Sequence, residues 1–304
     1  MLEVCMMAFS QNFNLDNMRI ICLVVTYNPD KELLQKQYLS MCNQVDMVVY
    51  IDNGSYMKLD ISNKGKVLLV CNKSNQGLGV AQNQGIKIAI QNGADFVLLL
   101  DQDSILPDNM VPTLIREYNK LSELNEKVAA ICPAIFSDFT KTVCDVPVSL
   151  GLQVRTTKPE GLTNVVYAIS SGSLIPVDII KKVGGIQEDF FIDSMDAEWC
   201  MRASSMGYNT YVTSETQLTH QLGNGAKVKV LQHSPIREYY IIRNSIALVK
   251  LPYVPMGFKL RRIILSIGRV FYSLIHGYWT YFLEGFKGLF AGMFVNTKKY
   301  IYGS

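Results

Sequence analysis

The sequence contains no C-x-x-C pair: its seven cysteines, at 5, 22, 42, 71, 132, 144 and 200, are odd in number and scattered through apolar stretches. That excludes a disulfide framework and a zinc cage of paired thiolates, and points to a reducing cytosol. Also absent are a G-x-S-x-G elbow, an H-E-x-x-H helix, a Walker lysine and a G-x-G-x-x-G directly after the first strand. Nucleophilic hydrolases, zincins, P-loop enzymes and dinucleotide oxidoreductases lose their support with them. Charged residues make up only 18%, against 49% hydrophobic, with no repeat or low-complexity linker, so disorder, collagen and coiled coil are excluded too. A membrane-spanning helix needs about 18–20 uninterrupted apolar residues. The best stretch, 263–282, is broken by Arg269 and contains Ser266, Ser273, His276 and Thr280. Residues 1–17 lack a basic n-region and read as a polar, Asn-rich lead-in with no secretory signal, Met18 being an alternative start.

What charge there is lies unevenly. From Lys250 onward eight Lys/Arg face one acid, Glu284, a local +7, and the 21 basic and 25 acidic residues before it leave the rest of the chain at −4. A basic, strongly apolar tail suits an anionic membrane surface, and it has few of the polar side chains a nucleic-acid binder uses on phosphates. Stretch 263–282 is therefore expected either to lie on a membrane or to pack against the body of the protein.

The first half alternates buried strands with helices, the pattern of an α/β fold around a mostly parallel sheet. Strands are expected at 20–26, 45–51, 66–71 and 96–100, with helices at 31–44 and after the glycine-rich turn in 75–85. Each strand ends in polar or acidic residues. Ligands of open α/β sheets sit outside the carboxyl ends of the strands, which nominates Thr26, Asn28, Asp52, Asn75, Asp101 and Asp103 as the lining of one cleft. The middle, 128–176, reads as shorter strands, followed by a helix at 177–183 and a second helix entered through an acidic segment.

Asp101 and Asp103 follow a buried strand; if the backbone stays extended, both carboxylates share a face and Gln102 points away. Such a pair suits Mg²⁺ or Mn²⁺, the ions that grip diphosphates, or else is a helix N-cap with a solvated neighbour. Downstream, Glu198 and Arg202 are spaced for an ordinary surface ion pair, leaving Asp196, in the first turn, as either a general base or an N-cap. His220 follows a strand at 210–212 and is placed to add a nitrogen ligand. His233, Arg237, Tyr239, Tyr240, Arg243 and Asn244 form a polar strip that meets phosphates or pairs with acids of the body.

Six segments then resemble, in order and spacing, the family 2 glycosyltransferases of the GT-A fold, over about residues 19–245: Val24-Val-Thr-Tyr-Asn28, Ile51-Asp-Asn-Gly-Ser55, Asn75-x-Gly-x-Gly-x-Ala-x-Asn-x-Gly85, Leu100-Asp-Gln-Asp103, Ser171-Gly-Ser173 and Asp196-x-Glu-Trp-Cys-x-Arg202. The set is most similar to bacterial rhamnosyltransferases that build O-antigen and other surface polysaccharides. The resemblance implies that Asp52 reads a pyrimidine base and that Thr26, Asn28 and Asn75 line the nucleoside site. It implies that Asp101 orients ribose or sugar, that Asp103 with His220 holds Mg²⁺ or Mn²⁺ on the diphosphate, and that Asp196 is the catalytic base. Ser171, Gly172, Glu198, Trp199, His233 and Arg237 are candidate acceptor or phosphate contacts. Met195 stands where the family more often carries Glu.

The implied division is a lead-in at 1–18, a GT-A domain at 19–245 and a basic helical region at 246–304 associated with the cytoplasmic membrane face. The implied activity is inverting transfer of L-rhamnose from a deoxythymidine-diphosphate donor to a polyprenyl-diphosphate-linked saccharide. A uridine-diphosphate hexose or galactofuranose donor, or a non-catalytic nucleotide-sugar-binding protein, stays open.

Overall fold

The computed structural model describes residues 18–59, 61, 66–150, 153–220 and 233–297; the lead-in lies outside them. The apolar run at 20–26 forms β1 (Ile20–Thr26), flanked by parallel β2 (Met47–Asp52) and β4 (Phe96–Asp101), with β3 (Val67–Cys71) beyond β2. Such a strand is apolar on both sides because both faces are covered. Cys22 and Val24 pack with Leu34 and Met41 of α1 (Lys31–Met41) and with Met110 and Leu114 of α3 (Met110–Glu123), while Ile21 and Leu23 pack with Ala81 and Ile86 of α2 (Leu78–Gln91). A buried Leu or Ile stabilises by about 1.5–3 kcal/mol, so this two-sided core holds the strand ends still. The helix starting at Lys31 is capped by Asp30, whose carboxylate accepts from Leu33 N–H at 2.9 Å.

The second half extends the same sheet through β5 (Val128–Ser137), β9 (Leu162–Val165), β10 (Ser173–Pro176) and β11 (Asn209–His220), with β6 (Thr142–Val143) on β5. The strand order is β3-β2-β1-β4-β10-β5-β11-β9. Strand β10 runs antiparallel between β4 and β5, and β11 runs parallel to β5. A separate ribbon pairs β7 (Val146–Leu150) with β8 (Gln153–Thr157). The strand expected at 210–212 thus runs to His220, past a register shift between Thr213 and Gln217 that the spacing of apolar residues does not reveal.

Helices α4 (Val177–Val183), α5 (Met195–Ser205), α6 (Pro235–Val249), α7 (Met256–Ile275) and α8 (Trp279–Phe294) complete the chain. The stretch 263–282 is two helices, separated by a turn in which Gly277 adopts φ 72°. The division expected at 245/246 falls inside α6. Helix α8 lies directly on α6: a Cβ on Gly288 would stand 2.7 Å from Tyr239 O, and one on Gly292 2.5 Å from Arg243 O. Among the described residues no helix is long and apolar enough to cross a membrane.

Candidate active site

Register places Thr26 beside Asp52 and Val25 beside Asp101. The strand ends finish level where the winding reverses, with β2 on one side of β1 and β4 on the other, the position of clefts in open α/β sheets. Asp52 is 4% exposed and accepts from Thr26 Oγ1 at 3.2 Å and from Ser55 Oγ at 2.5 Å. Asn28, at φ 48°, accepts from Tyr56 N–H at 3.0 Å. Next to them Asn53, missed in the sequence, joins two loops. Its Nδ2 donates to Asn75 Oδ1 (3.0 Å) and Gly77 O (3.2 Å), and its Oδ1 accepts from Asn72 Nδ2 and Gln76 N–H. Gly54 makes the contact possible: at φ 86°, a Cβ there would sit 2.5 Å from the Ser74 carbonyl carbon.

The backbone does not stay extended past Asp101. A turn closes from Ser104 N–H to Asp101 O at 3.1 Å, and the Gln102 side chain folds back to accept from Tyr27 N–H at 2.8 Å. Thus Gln102 ties the turn to β1, where strand geometry had it pointing away. Ser171, 1% exposed, accepts from Asp101 N–H at 3.0 Å and lies 2.9 Å from Ser104 Oγ. Gly172 N–H donates to Leu99 O at 2.7 Å. Both therefore shape the turn from beneath. An isolated bridge pairs Ile105, just past the same turn, with Thr219, the residue before His220.

Asp196 lies in the first turn of α5, half-buried, with its carboxylate accepting from Ala197 N–H at 2.7 Å. Desolvation pushes its pKa from 3.8 up to about 6; the Ala197 bond and the charge of Arg262 oppose that rise, and the charges of Asp193 and Asp101 add to it.

The approach to α5 is conformationally costly. Phe191, Asp193 and Ser194 all have positive φ, at 61°, 66° and 68°, a region non-glycine residues seldom adopt. Helix α6 holds them there. Asn244, fully buried, directs Nδ2 at the carbonyls of Phe190 (2.8 Å), Ile192 (2.7 Å) and Asp193 (2.9 Å). Arg237 grips the Asp193 carboxylate through Nε at 3.0 Å and Nη2 at 2.9 Å. Removing the amide in Asn244→Ala is expected to lower kcat by tenfold or more, since a displacement of about 1 Å can cost 10² in rate, while donor affinity stays within about twofold. A lowered melting temperature with unchanged kcat would make Asn244 a purely structural residue.

Other candidates are committed elsewhere. Glu198 and Arg202 do pair, with Nε to Oε1 at 2.8 Å, but the pair is buried at 1% and 7% side-chain exposure, where the spacing suggested the surface. Arg202 also donates to Val183 O and Gly185 O, and the Tyr253 hydroxyl donates to Glu198. Trp199 donates its indole N–H to Gly184 O at 2.8 Å. These contacts leave Glu198 and Trp199 buried, with their polar groups engaged inside the protein. His233 is half-buried, its pKa lowered first by desolvation and then by Arg237; Arg237 is the member of the polar strip that meets a body acid.

The turn at the end of β4 carries two carboxylates, Asp101 and Asp103, but the common face expected of them rested on an extended backbone that ends at Asp101. Among the described residues no three His, Cys, Asp or Glu converge on a metal site, yet Mg²⁺-type ions are commonly held by one or two carboxylates together with substrate phosphates and water. Asp101 and Asp103 are the carboxylates at this turn that could take part in such a set.

A model of the family described as "Glycosyl transferase family 2" matches residues 21–184. The dTDP-rhamnosyl transferase RfbF of Shigella flexneri is 30% identical over 273 residues, covering 86% of this chain and 87% of that protein. Among solved structures, residues 1–349 of S. aureus TarS align with a TM-score of 0.51 at 17% identity, covering 84% of this chain and 72% of that one. The mannosyltransferase PcManGT of Pyrobaculum calidifontis, in complex with GDP-Man and Mn²⁺, aligns with a TM-score of 0.54 at 14% identity, covering 92% and 76%. At such identities these two structures speak for the fold alone, a GT-A-like α/β arrangement.

Proposed function

The chain belongs to glycosyltransferase family 2, and on that premise we propose that it transfers L-rhamnose from deoxythymidine-diphosphate L-rhamnose to a saccharide on a polyprenyl diphosphate, in the assembly of O-antigen or a related surface polysaccharide. The observation that carries this reading is the gathering of Thr26, Asp52 and Asp101 at level strand ends, in a chain that also holds a half-buried carboxylate, Asp196, in the first turn of α5. The donor follows from the relative that is 30% identical and carries a dTDP-rhamnosyl transferase name. Asp52 would accept the imide N–H of thymine and uracil alike, so a uridine-diphosphate sugar is the competing donor.

In the proposed reaction Asp196 takes the proton of an acceptor hydroxyl as that oxygen attacks the anomeric carbon, and the bond to the diphosphate breaks on the opposite face. One displacement inverts the anomeric configuration, and the products are the extended saccharide and deoxythymidine diphosphate. Thr26, Asn28, Asp52 and Asn75 would hold the nucleoside, and Asp101 the ribose or sugar. Asp103, with His220, would hold Mg²⁺ or Mn²⁺, which when bound neutralises charge on the diphosphate. Arg237 would stay beside the cleft as the holder of Asp193. Asp103→Ala is expected to weaken metal-dependent binding of the diphosphate about tenfold or more, the scale of a lost charge-assisted contact. Thermal-shift titration checks it, and a stabilisation indifferent to both the substitution and a chelator would count against the metal role.

The C-terminal helices support association with the membrane that would carry the acceptor. Helix α7 buries Phe258, Ser266 and Val270 but exposes Ile264, Phe271 and Ile275, and α8 exposes Trp279, Phe286 and Phe294. With Lys259, Arg261 and Arg262 on the same hairpin, this suits an anionic lipid surface. Truncation is a poor test because α8 packs on α6. Ile264→Asp with Phe294→Asp is instead expected to reduce cosedimentation with vesicles containing anionic lipid by several-fold, and unchanged cosedimentation would contradict membrane docking through this face.

A further inference from the structure

A small pocket of about 160 Å³ is lined by the β7–β8 ribbon, Tyr167 and the first turns of α7. That volume is roughly five waters' worth. Its walls are chemically unlike one another. Arg262 stacks over the Phe258 ring at 4.8 Å, and Phe258 meets Tyr167 edge-on at 5.8 Å between centroids, which fixes a guanidinium and an aromatic ring at one mouth. Arg261 contributes a second cation. Asp145, the acid in the lining, is already paired with Lys158 at 2.9 Å, and among the described residues neither arginine makes an ion pair. The far rim is Leu265, 49% exposed, continuous with Ile264 at 69% on the apolar face of α7. Phe258 belongs to the same hydrophobic cluster as Met195 and Ala197, the neighbours of Asp196 in sequence, and Tyr167 packs against that cluster; the charge of Arg262 also bears on Asp196.

Cationic, aromatic and apolar groups side by side in one pocket match one kind of molecule. We propose that Tyr167, Arg261 and Arg262 form the acceptor subsite, taking the diphosphate of an isoprenoid carrier on the two guanidinium groups while the isoprenoid chain runs along Leu265 and Ile264 of α7. Guanidinium groups suit phosphate oxygens through forked, charge-assisted bonds, and Tyr167 offers a ring face for the carried sugar. The proposal deepens the function given above and rests on it. It also gives α7 two connected tasks, since the helix that would touch the lipid surface would also hold the carrier's headgroup.

The test uses the full chain saturated with deoxythymidine diphosphate and Mn²⁺, so that the donor site is filled, and titrates farnesyl diphosphate calorimetrically. The saturated wild type is expected to bind it, with Arg261→Gln/Arg262→Gln weakening that binding about tenfold or more. Deoxythymidine diphosphate affinity should stay within twofold. The exposed single variant Arg261→Gln, which disturbs no packing, should show a smaller loss in the same direction. Inorganic pyrophosphate and farnesol, each carrying half of the chemistry, should both bind more weakly than farnesyl diphosphate. Farnesyl diphosphate affinity unchanged in the double variant, or no binding to the saturated wild type, overturns the subsite. Equal affinity for pyrophosphate and farnesyl diphosphate overturns the path along α7. Failure of the wild type to bind deoxythymidine diphosphate would instead overturn the donor reading, a different result from either.

Discussion

Asp196→Asn should cut transfer by about 10²–10⁴-fold, the range a positioned general base supplies, while leaving deoxythymidine diphosphate affinity within about twofold. The amide preserves shape and the bond from Ala197 N–H but cannot take a proton. In the wild type the base works only when ionised, so with its pKa pushed up to about 6 activity should fall as pH drops through that value. Stability moves the other way. A carboxylate whose folded pKa lies above its ordinary 3.8 is disfavoured by the fold when charged. That penalty is absent below the unfolded pKa, grows between about 4 and 6, and is complete at neutral pH. Removing the charge should therefore stabilise the protein at pH 7 by on the order of 1–3 kcal/mol, and raise the melting temperature by a few degrees. Loss of transfer with gain of stability is the signature of a strained catalytic group. A dead variant that also melts earlier would mean that Asp196 holds the helix, and an active one that it is not the base.

The second large effect lies two residues along the same helix and has the opposite sign for stability. Glu198→Ala leaves the Arg202 guanidinium buried with two carbonyl partners, Val183 O and Gly185 O, and no counter-charge. Breaking one side of a buried pair costs about 3–5 kcal/mol, so the melting temperature should fall by roughly 6–15 °C. Glu198→Gln, which retains acceptors for Arg202 and Tyr253, should fall by less. Calorimetric melting of the three proteins decides it. A loss under a degree for Glu198→Ala would place the pair in solvent.

That contrast between Asp196 and Glu198 marks what a sequence can say. Spacing at four residues correctly paired Glu198 with Arg202, because helix geometry is local. It could not see that Val183, Gly185 and Tyr253 close over them, because burial comes from residues distant in sequence. Strand β1 and helix α4 occupy the positions expected, since a run such as Ile20-Ile-Cys-Leu-Val-Val-Thr26 has no other way to hide its side chains than between two layers. Gln102 went astray for a different reason: alternation holds only while the strand continues, and this strand stops at Asp101. The clamp of Asn244 on three carbonyls had no local signal at all. It serves a segment 51 to 54 residues earlier whose positive φ angles fall on Phe191, Asp193 and Ser194, with no glycine to announce them. In the tail, apolar composition gave helices but not their break, which Gly277 sets.

The cleft between β1 and β4 is the centre of the proposed function, and nucleotide binding addresses it directly. Isothermal titration of deoxythymidine diphosphate and uridine diphosphate, each with Mn²⁺ and with chelator, is the measurement to make. Binding of deoxythymidine diphosphate that requires the metal and exceeds that of uridine diphosphate is the predicted result. A preference for uridine diphosphate would transfer the donor assignment to a uridine-linked sugar, and no binding of either nucleotide under any metal would contradict the site itself.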